Sequence, residues 1–497
     1  MSTHIAMNID QSAATPQHLS PLKWVAILAG ALVVAMLIKE NLFGHAAEHV
    51  DNELPPLWQV GVVPFVAVLG CIAVLPLIRA TEHWWHSNLN KFGVSMVIGG
   101  LTLVYYTVAQ GVESIPQVLD HAVLGEYTPF IVLLFSLYVI SGGISLKGDL
   151  AAHPITNTTF LAIGALIASF IGTTGASMLL IRPLLQTNRE RKHVTHTVVF
   201  FIFLVSNIGG CLLPIGDPPL FLGYLKGVPF LWTFSLWLEW AVCTGLLLGV
   251  YYIWDTIAYK REPISNIQRD ETQLQPLRMR GLINLLWLIG IVFCVALIDP
   301  KKEFLGTHWH PFPFMRELLM LGLVALSLRT TPRGVREHNQ FNYFAIIEVA
   351  ALFIGIFIAM QVPVDVLNIK GETLGLDQPW KFFWATGSLS SFLDNAPTYV
   401  VFFETANAMT HEPGPGILKL ISGHFIREDL LIGISLGAVF MGAMTYIGNG
   451  PNFMVKAIAE QSGIRMPSFF GFMFRFSIPI LIPLFLIITL LFLRGGH

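Results

Sequence analysis

Two short stretches of this chain lie inside apolar segments of membrane-crossing length, yet neither can continue as helix. The first is Asn207-Ile208-Gly209-Gly210-Cys211-Leu212-Leu213-Pro214-Ile215-Gly216-Asp217-Pro218-Pro219; the second is Thr445-Tyr446-Ile447-Gly448-Asn449-Gly450-Pro451-Asn452. Hydrocarbon supplies no water to an unwound backbone, so a broken helix persists at that depth only where it lines a cavity or a site. Paired Gly/Pro interruptions in corresponding halves of a long apolar chain are the sequence mark of a transporter's binding site.

Composition agrees. Of 497 residues, 54% are hydrophobic and 12% charged, with mean hydropathy +0.65. A soluble domain carries about 25% charged residues, so the chain reads as an all-α polytopic membrane protein. A formal net charge of -2 gives no basic surface for a nucleic-acid partner. Cys71, Cys211, Cys243 and Cys294 sit in apolar runs and form no C-x-x-C pair, which points to small buried hydrophobes rather than a disulfide frame or zinc site. Residues 1–22 read as a disordered cytoplasmic N-terminus. The apolar run from Trp24 lacks a basic leader and a small-residue cleavage site, as expected of a retained span.

At about 20 apolar residues per crossing, full spans are expected at 24–39, 57–78, 92–109, 128–146, 230–256, 281–299, 315–328, 341–361 and 468–493. Broken spans are expected at 195–225 and 428–460. Two further apolar segments, 158–186 and 379–409, carry polar centres at Gly172-Thr173-Thr174-Gly175-Ala176-Ser177 and at Ser388–Thr398. They read as re-entrant hairpins. The order span, hairpin, broken span, span then occurs twice, at 125–258 and within 281–497, the second copy entering from the opposite side as an inverted repeat. Residues 23–124 form N-terminal scaffold helices, further scaffold helices precede the second repeat, and 259–280 form a cytoplasmic linker. With 11 crossings, roughly two-thirds of the Lys and Arg fall inside, as the positive-inside rule requires. The N-terminus is then cytoplasmic and the C-terminus outside. The stretch with Glu113, Asp120 and Glu126 becomes an outside loop.

Ionisable groups at membrane depth are costly and mark sites. Asp217 sits in the first break among free carbonyls. Asp394 and Asn395 sit at the second hairpin tip with Ser390, Ser391 and Thr398. Carboxylate, amide and hydroxyl oxygens suit hard cations, so the expected ion site comprises Asp217, Asp394, Asn395, Thr398, Ser391, Thr173, Thr174, Asn207, Asn449 and Asn452. Asp217, Asp394 and Asn395 are the expected Na+ ligands. Asp217 and Asp394 also suit helix capping. Glu348, inside the span 341–361, is the proton-coupling candidate, or else the partner of a hidden Lys or Arg. Glu239, between Trp237 and Trp240, reads as interfacial. Arg182 suits either a snorkelling role or a counter-charge.

The tip LSSFLDNAPTYVVFF resembles the S-x-F-L-D-N-x-P-T signature of NhaD-type Na+/H+ antiporters and arsenite permeases. The run SNIGGCLLPIGDPPLFLG resembles the antiporters' G-G-x-L-T-P-I-G-D segment, and TTGASMLLIRPLL their first hairpin. Leu213 stands where that family has Thr, and TYIGNGPNFM is nearer the permease pattern. The resemblance covers roughly 125–470, within the ion transporter superfamily that also holds citrate transporter-like carboxylate carriers. It implies 11 spans, a homodimer and elevator-type alternating access. It also implies ion-site roles for Asp217, Asp394, Asn395 and Thr398, with a weaker match at Glu348.

The expected function is sodium:proton antiport in a bacterial inner membrane, with Na+ and protons as partners and no cofactor. The alternative is a Na+- or H+-coupled carrier of a carboxylate or oxyanion. Enzymatic activity is not expected. His45-Ala46-Ala47-Glu48-His49 matches the H-x-x-E-H zinc pattern but lies in a short loop without a third ligand, and His308 and His310 read as solvated loop residues.

Overall fold

The computed structural model describes residues 21–38, 54–272, 274–300, 303–304, 307–410 and 412–494. Most of the expected N-terminal segment and the His45–His49 pattern lie outside them. Among the described residues, Asn88–Gln110, Ser114–Ser141, Pro154–Ile171, Thr195–Leu212, Trp232–Tyr259 and Phe469–Phe492 are helical runs long and apolar enough to cross a bilayer. A bent pair, Phe344–Ala359 and Gln361–Lys370, makes a seventh if counted as one span. On Asn88–Gln110, Val97, Leu101, Val104 and Val108 all point outward. A belt of that kind is an aggregation surface in water and an ordinary surface against lipid. The protein is a multi-pass, all-α membrane protein.

Burial separates rim from centre. The apolar window of Asn88–Gln110 is 28% buried, whereas that of Thr195–Leu212 is 94% buried. The first break therefore lies in the molecular interior. Around it the chain closes two hairpins. Pro154–Ile171 turns at Gly172 (φ 79°) into Thr173–Thr187. Asn157 at the base of the first arm and Asn188 just past the second exchange amide hydrogen bonds of 2.8 and 2.9 Å, so the two arms end together. Pro379–Phe392 and Asn395–Ala408 form the second hairpin. Arg427 ties its base: the guanidinium donates to Asp377 O, and the backbone N–H donates to Thr410 Oγ1.

Each hairpin packs on a broken helix. Thr195–Leu204, a 3-10 turn Ile208–Leu212 and Pro218–Leu225 make the first. Glu428–Met441, a 3-10 turn Gly442–Met444 and Gly450–Gln461 make the second. Small residues allow the close approach. A Cβ on Gly437 would lie 2.6 Å from Phe383 O on the second hairpin.

Several boundaries differ from the sequence reading. Residues 114–141 form one continuous helical run, with a π-helical stretch Asp120–Tyr127. Glu126 is therefore buried rather than set in an outside loop. The expected span 341–361 ends at Ala359 and bends by 42°. The expected linker 259–280 holds helix Ile264–Thr272 and strand Gln275–Arg280, which pairs antiparallel with Ser145–Asp149. So short a strand, exposed along its whole length, gives little periodic signal.

Gly437→Ala should destabilise by about 1–3 kcal/mol through overpacking. Gly100→Ala, with nothing within 4 Å of its Cβ, should be neutral or stabilising by up to ~1 kcal/mol through helix propensity. Thermal melts of both variants in detergent check this pair.

Candidate ion-binding site

The two breaks fold alike because the same residue types recur at the same spacing. Gly216 approaches Gly210 and Gly448 approaches Gly442. A Cβ on Gly216 would lie 2.2 Å from Gly210 O, and one on Gly448 would lie 2.6 Å from Gly442 O. Only glycine permits these crossings. Each second glycine is followed by an extended residue, Asp217 (φ -144°) or Asn449 (φ -152°), which precedes a helix with proline in its first turn. The hairpins clasp the breaks by matching bonds. Ser169 Oγ donates to Gly209 O at 2.5 Å, and Ser391 Oγ donates to Met441 O at 3.1 Å. Thr173 N–H donates to Gly216 O at 2.8 Å. Thr445 Oγ1 donates to Ser391 O.

Asp217, 1% exposed, is the hub. Its Oδ1 accepts from Thr173 Oγ1 (2.8 Å) and Asn449 Nδ2 (2.9 Å), and its Oδ2 accepts from Asn395 Nδ2 (2.7 Å). One carboxylate thus joins the first hairpin tip, the second hairpin tip and both breaks. A second layer holds these donors. Asn449 Nδ2 also donates to Ser206 O (3.1 Å). Asn452 Nδ2 donates to Gly442 O and Thr445 O, both at 2.9 Å, which turns its Oδ1 to accept from Asn207 Nδ2 at 2.7 Å. That chain fixes the Asn207 amide with its oxygen towards Gly442, since Nδ2 also donates to Ile202 O.

Two buried acceptors remain open. Asn207 Oδ1 and Asn395 Oδ1 have no hydrogen-bond partner among the described residues. Both amides flank Gly442: a Cβ there would lie 3.0 Å from Asn207 Oδ1 and 3.7 Å from Asn395 Nδ2. An unsatisfied buried acceptor costs about 1–3 kcal/mol, so two in one place call for a cation or a donor. Among the described residues, no Lys or Arg pairs with Asp217.

The expected site residues divide into groups. Asp217, Thr173, Asn395, Asn449, Asn207 and Asn452 share this one network. Asp394 is set apart from it. Its Oδ1 accepts from Ala396 N–H (3.1 Å), capping its own helix, and its carbonyl accepts from Thr398 Oγ1 (3.0 Å). Ser391 bonds backbone carbonyls, Gly387 O among them, and Thr174 is half-buried at the first tip. Glu348 pairs with buried Lys91 on Asn88–Gln110, the structural alternative weighed for it. Glu239 Oε2 is buried without a partner among the described residues. Arg182 reaches Gln340 Oε1 at 3.3 Å rather than a carboxylate. His308 is fully exposed, 3.7 Å from Glu303.

Sequence reasoning missed a second buried cluster. Lys226, at the far end of the helix that Asp217 begins, pairs with Glu126 and lies 2.8 Å from Glu404 Oε1. Glu126 also accepts from Gln361 Nε2 (3.1 Å), whose Oε1 meets His121 Nδ1 (2.8 Å). The cluster locks the second hairpin's outgoing arm to helix Ser114–Ser141. Each acid is ordinary in its own stretch of sequence, and no spacing rule brings residues 126, 226 and 404 together.

A family described as "Putative citrate transport" matches residues 52–493. The chain belongs to that family. The match spans both hairpins and both breaks, so the Asp217 network lies within the family's domain. The family is one of transporters, which accords with a secondary transporter. No curated protein matches.

Lys226→Met should cost about 3–5 kcal/mol, because it leaves buried carboxylates uncompensated. Adding Glu404→Gln should recover part of the loss. Comparison of melting temperatures for the single and double variants checks this.

Proposed function

We propose that the protein is a sodium:proton antiporter in which Asp217 binds Na+ and a proton in turn. The observation that carries this reading is the buried carboxylate beside two unpaired amide oxygens, with no cationic side chain among the described residues to neutralise it. Carboxylate, amide and hydroxyl oxygens are hard-cation ligands. A buried carboxylate without a counter-charge is stable only with a proton or a metal cation on it. The two ligands therefore compete for the same oxygens, and competition gives exchange when the site reopens on the other side.

The matching clasps, Ser169 on Gly209 and Ser391 on Met441, support an inverted repeat whose tips and breaks meet near the bilayer midplane. On that reading the chain makes 11 crossings with a cytoplasmic N-terminus. Asp394 then positions the second tip, so that its neighbour Asn395 reaches Asp217.

A second reading, a coupled carrier of a carboxylate anion, draws on the family's description and on one structural feature. The helices starting at Thr173, Pro218, Asn395 and Gly450 all open at the network, and helix N-termini favour anions. In the antiport reading that positive end-charge serves Asp217 itself.

Dye-reported proton movement in everted vesicles separates the readings. Antiport predicts dequenching on adding Na+ or Li+, not citrate. Asp217→Asn should abolish it. Thr173→Val and Asn449→Ala should weaken apparent Na+ affinity roughly 5- to 30-fold, since each removes a hydrogen bond of about 1–2 kcal/mol to the carboxylate. Apparent Na+ affinity should fall as pH falls, because protons occupy the same oxygens. A response to citrate and to no cation would select the anion carrier.

A further inference from the structure

The strongest feature outside the Asp217 network is a cavity of about 740 Å³ at the base of the first hairpin. Among the described residues it is lined by Arg182, Arg189, Arg191, Lys192 and Arg465, and by no carboxylate. Of the five cations, Arg191 is already engaged: it pairs with Asp255 at 2.6 Å and lies 3.9 Å from Glu262. Arg189 lies near enough to Asp149, at the end of the strand Ser145–Asp149, for its charge to be felt there. Arg182, Lys192 and Arg465 have no carboxylate within ion-pair distance among the described residues. Arg182 bonds only the neutral Gln340 side chain, and its Nη1 is buried without a partner among the described residues. Three helix ends meet the cavity: the C-terminal ends of Thr173–Thr187 and Gly450–Gln461, and the N-terminal end of Thr195–Leu204. Their end-charges sum to about -0.5, small against three unpaired cations.

A basic cytoplasmic face alone is the ordinary consequence of membrane insertion. Glu262, behind the wall, accepts from the Lys192 backbone N–H and lies by Arg191, but a concave face lined by cations with an unpartnered buried guanidinium nitrogen is a different arrangement, since it gathers like charges at a cost that an occupant relieves. We propose that this cavity is an anion site that takes a small multivalent oxyanion group, phosphate or carboxylate, held by Arg182, Lys192 and Arg465. Guanidinium forks match the geometry of both groups. The source is either a free anion or the headgroup of an anionic lipid. Gln186 sits at the end of the helix that Thr173 begins, with Arg182 about one turn nearer the network, and Gln461 ends the helix that follows Asn449. At 1.5 Å per residue those helices run roughly 18–22 Å. The anion site is therefore distinct from Asp217, and an occupant would tie together the outer ends of two helices whose inner ends bind the ion. The inference holds whichever cargo the protein carries.

The test is thermal unfolding of the full-length protein in detergent, titrated with inorganic phosphate and with citrate, the ionic strength being held constant with chloride. A saturable rise in melting temperature is expected. Its midpoint should move at least roughly tenfold higher in Arg465→Gln and in Arg182→Gln, as loss of a charge-assisted hydrogen bond implies, and stay in place in Asp217→Asn. Arg465 is exposed and, among the described residues, its side chain has no partner, only its backbone carbonyl being engaged by Thr195 Oγ1, so that variant should fold normally. If free anions have no effect but phosphatidylglycerol stabilises wild type and not the two Arg variants, the headgroup is the occupant. The proposal is overturned if chloride reproduces the shift, if Asp217→Asn removes it, or if neither anion nor lipid distinguishes wild type from the Arg variants.

Discussion

Unwound backbone inside an apolar interior must find every hydrogen-bond partner within the protein, and the rest of this structure follows from that requirement. The two breaks free carbonyls and N–H groups that water cannot reach. The missing partners come from Ser169 and Ser391 on the hairpins, from Thr445 Oγ1, which accepts from the Ile447 and Gly448 N–H groups, and from the amides of Asn207 and Asn452 on the breaks themselves. What remains at the centre after this satisfaction is small and specific: one carboxylate and two amide oxygens. The site is made of the groups that the surrounding backbone does not need.

Glycine makes that solution possible. At Gly216 and Gly448 two backbone segments cross more closely than any side chain allows. The crossing brings Asp217 and Asn449 face to face, each at the mouth of its own helix. Asp217 thereby becomes a hub that bonds its own break to three other segments at once. Changing its charge by a proton or a cation changes all three attachments together. The Lys226 cluster, one short helix away, carries the same segments outward and fastens them to helix Ser114–Ser141.

Much of this was legible in the sequence, for a physical reason. Glycine, proline and polar residues inside an apolar run violate the local rule for a membrane helix, and such violations persist only where tertiary structure compensates. Hence both hairpin tips, both breaks, Asp217, Asn395 and the three other asparagines stood out. What was not legible depends on long-range pairing. The ion pair that Glu348 makes with Lys91 depends on packing between two helices, its partners lying 257 residues apart in sequence, and no local pattern names that partner. Asp394 and Asn395 are adjacent, and periodicity does not say which of them turns to the centre and which caps the helix. Glu126 read as a loop acid because a π-helical stretch hides the continuity of residues 114–141.

Competition between Na+ and a proton for the Asp217 oxygens is measured by calorimetric titration of the purified protein with NaCl in two buffers of different ionisation enthalpy. Saturable Na+ binding that releases protons is expected at a pH where the site is protonated, with both binding and release lost in Asp217→Asn. Na+ binding without proton release, or binding that survives Asp217→Asn, would contradict it.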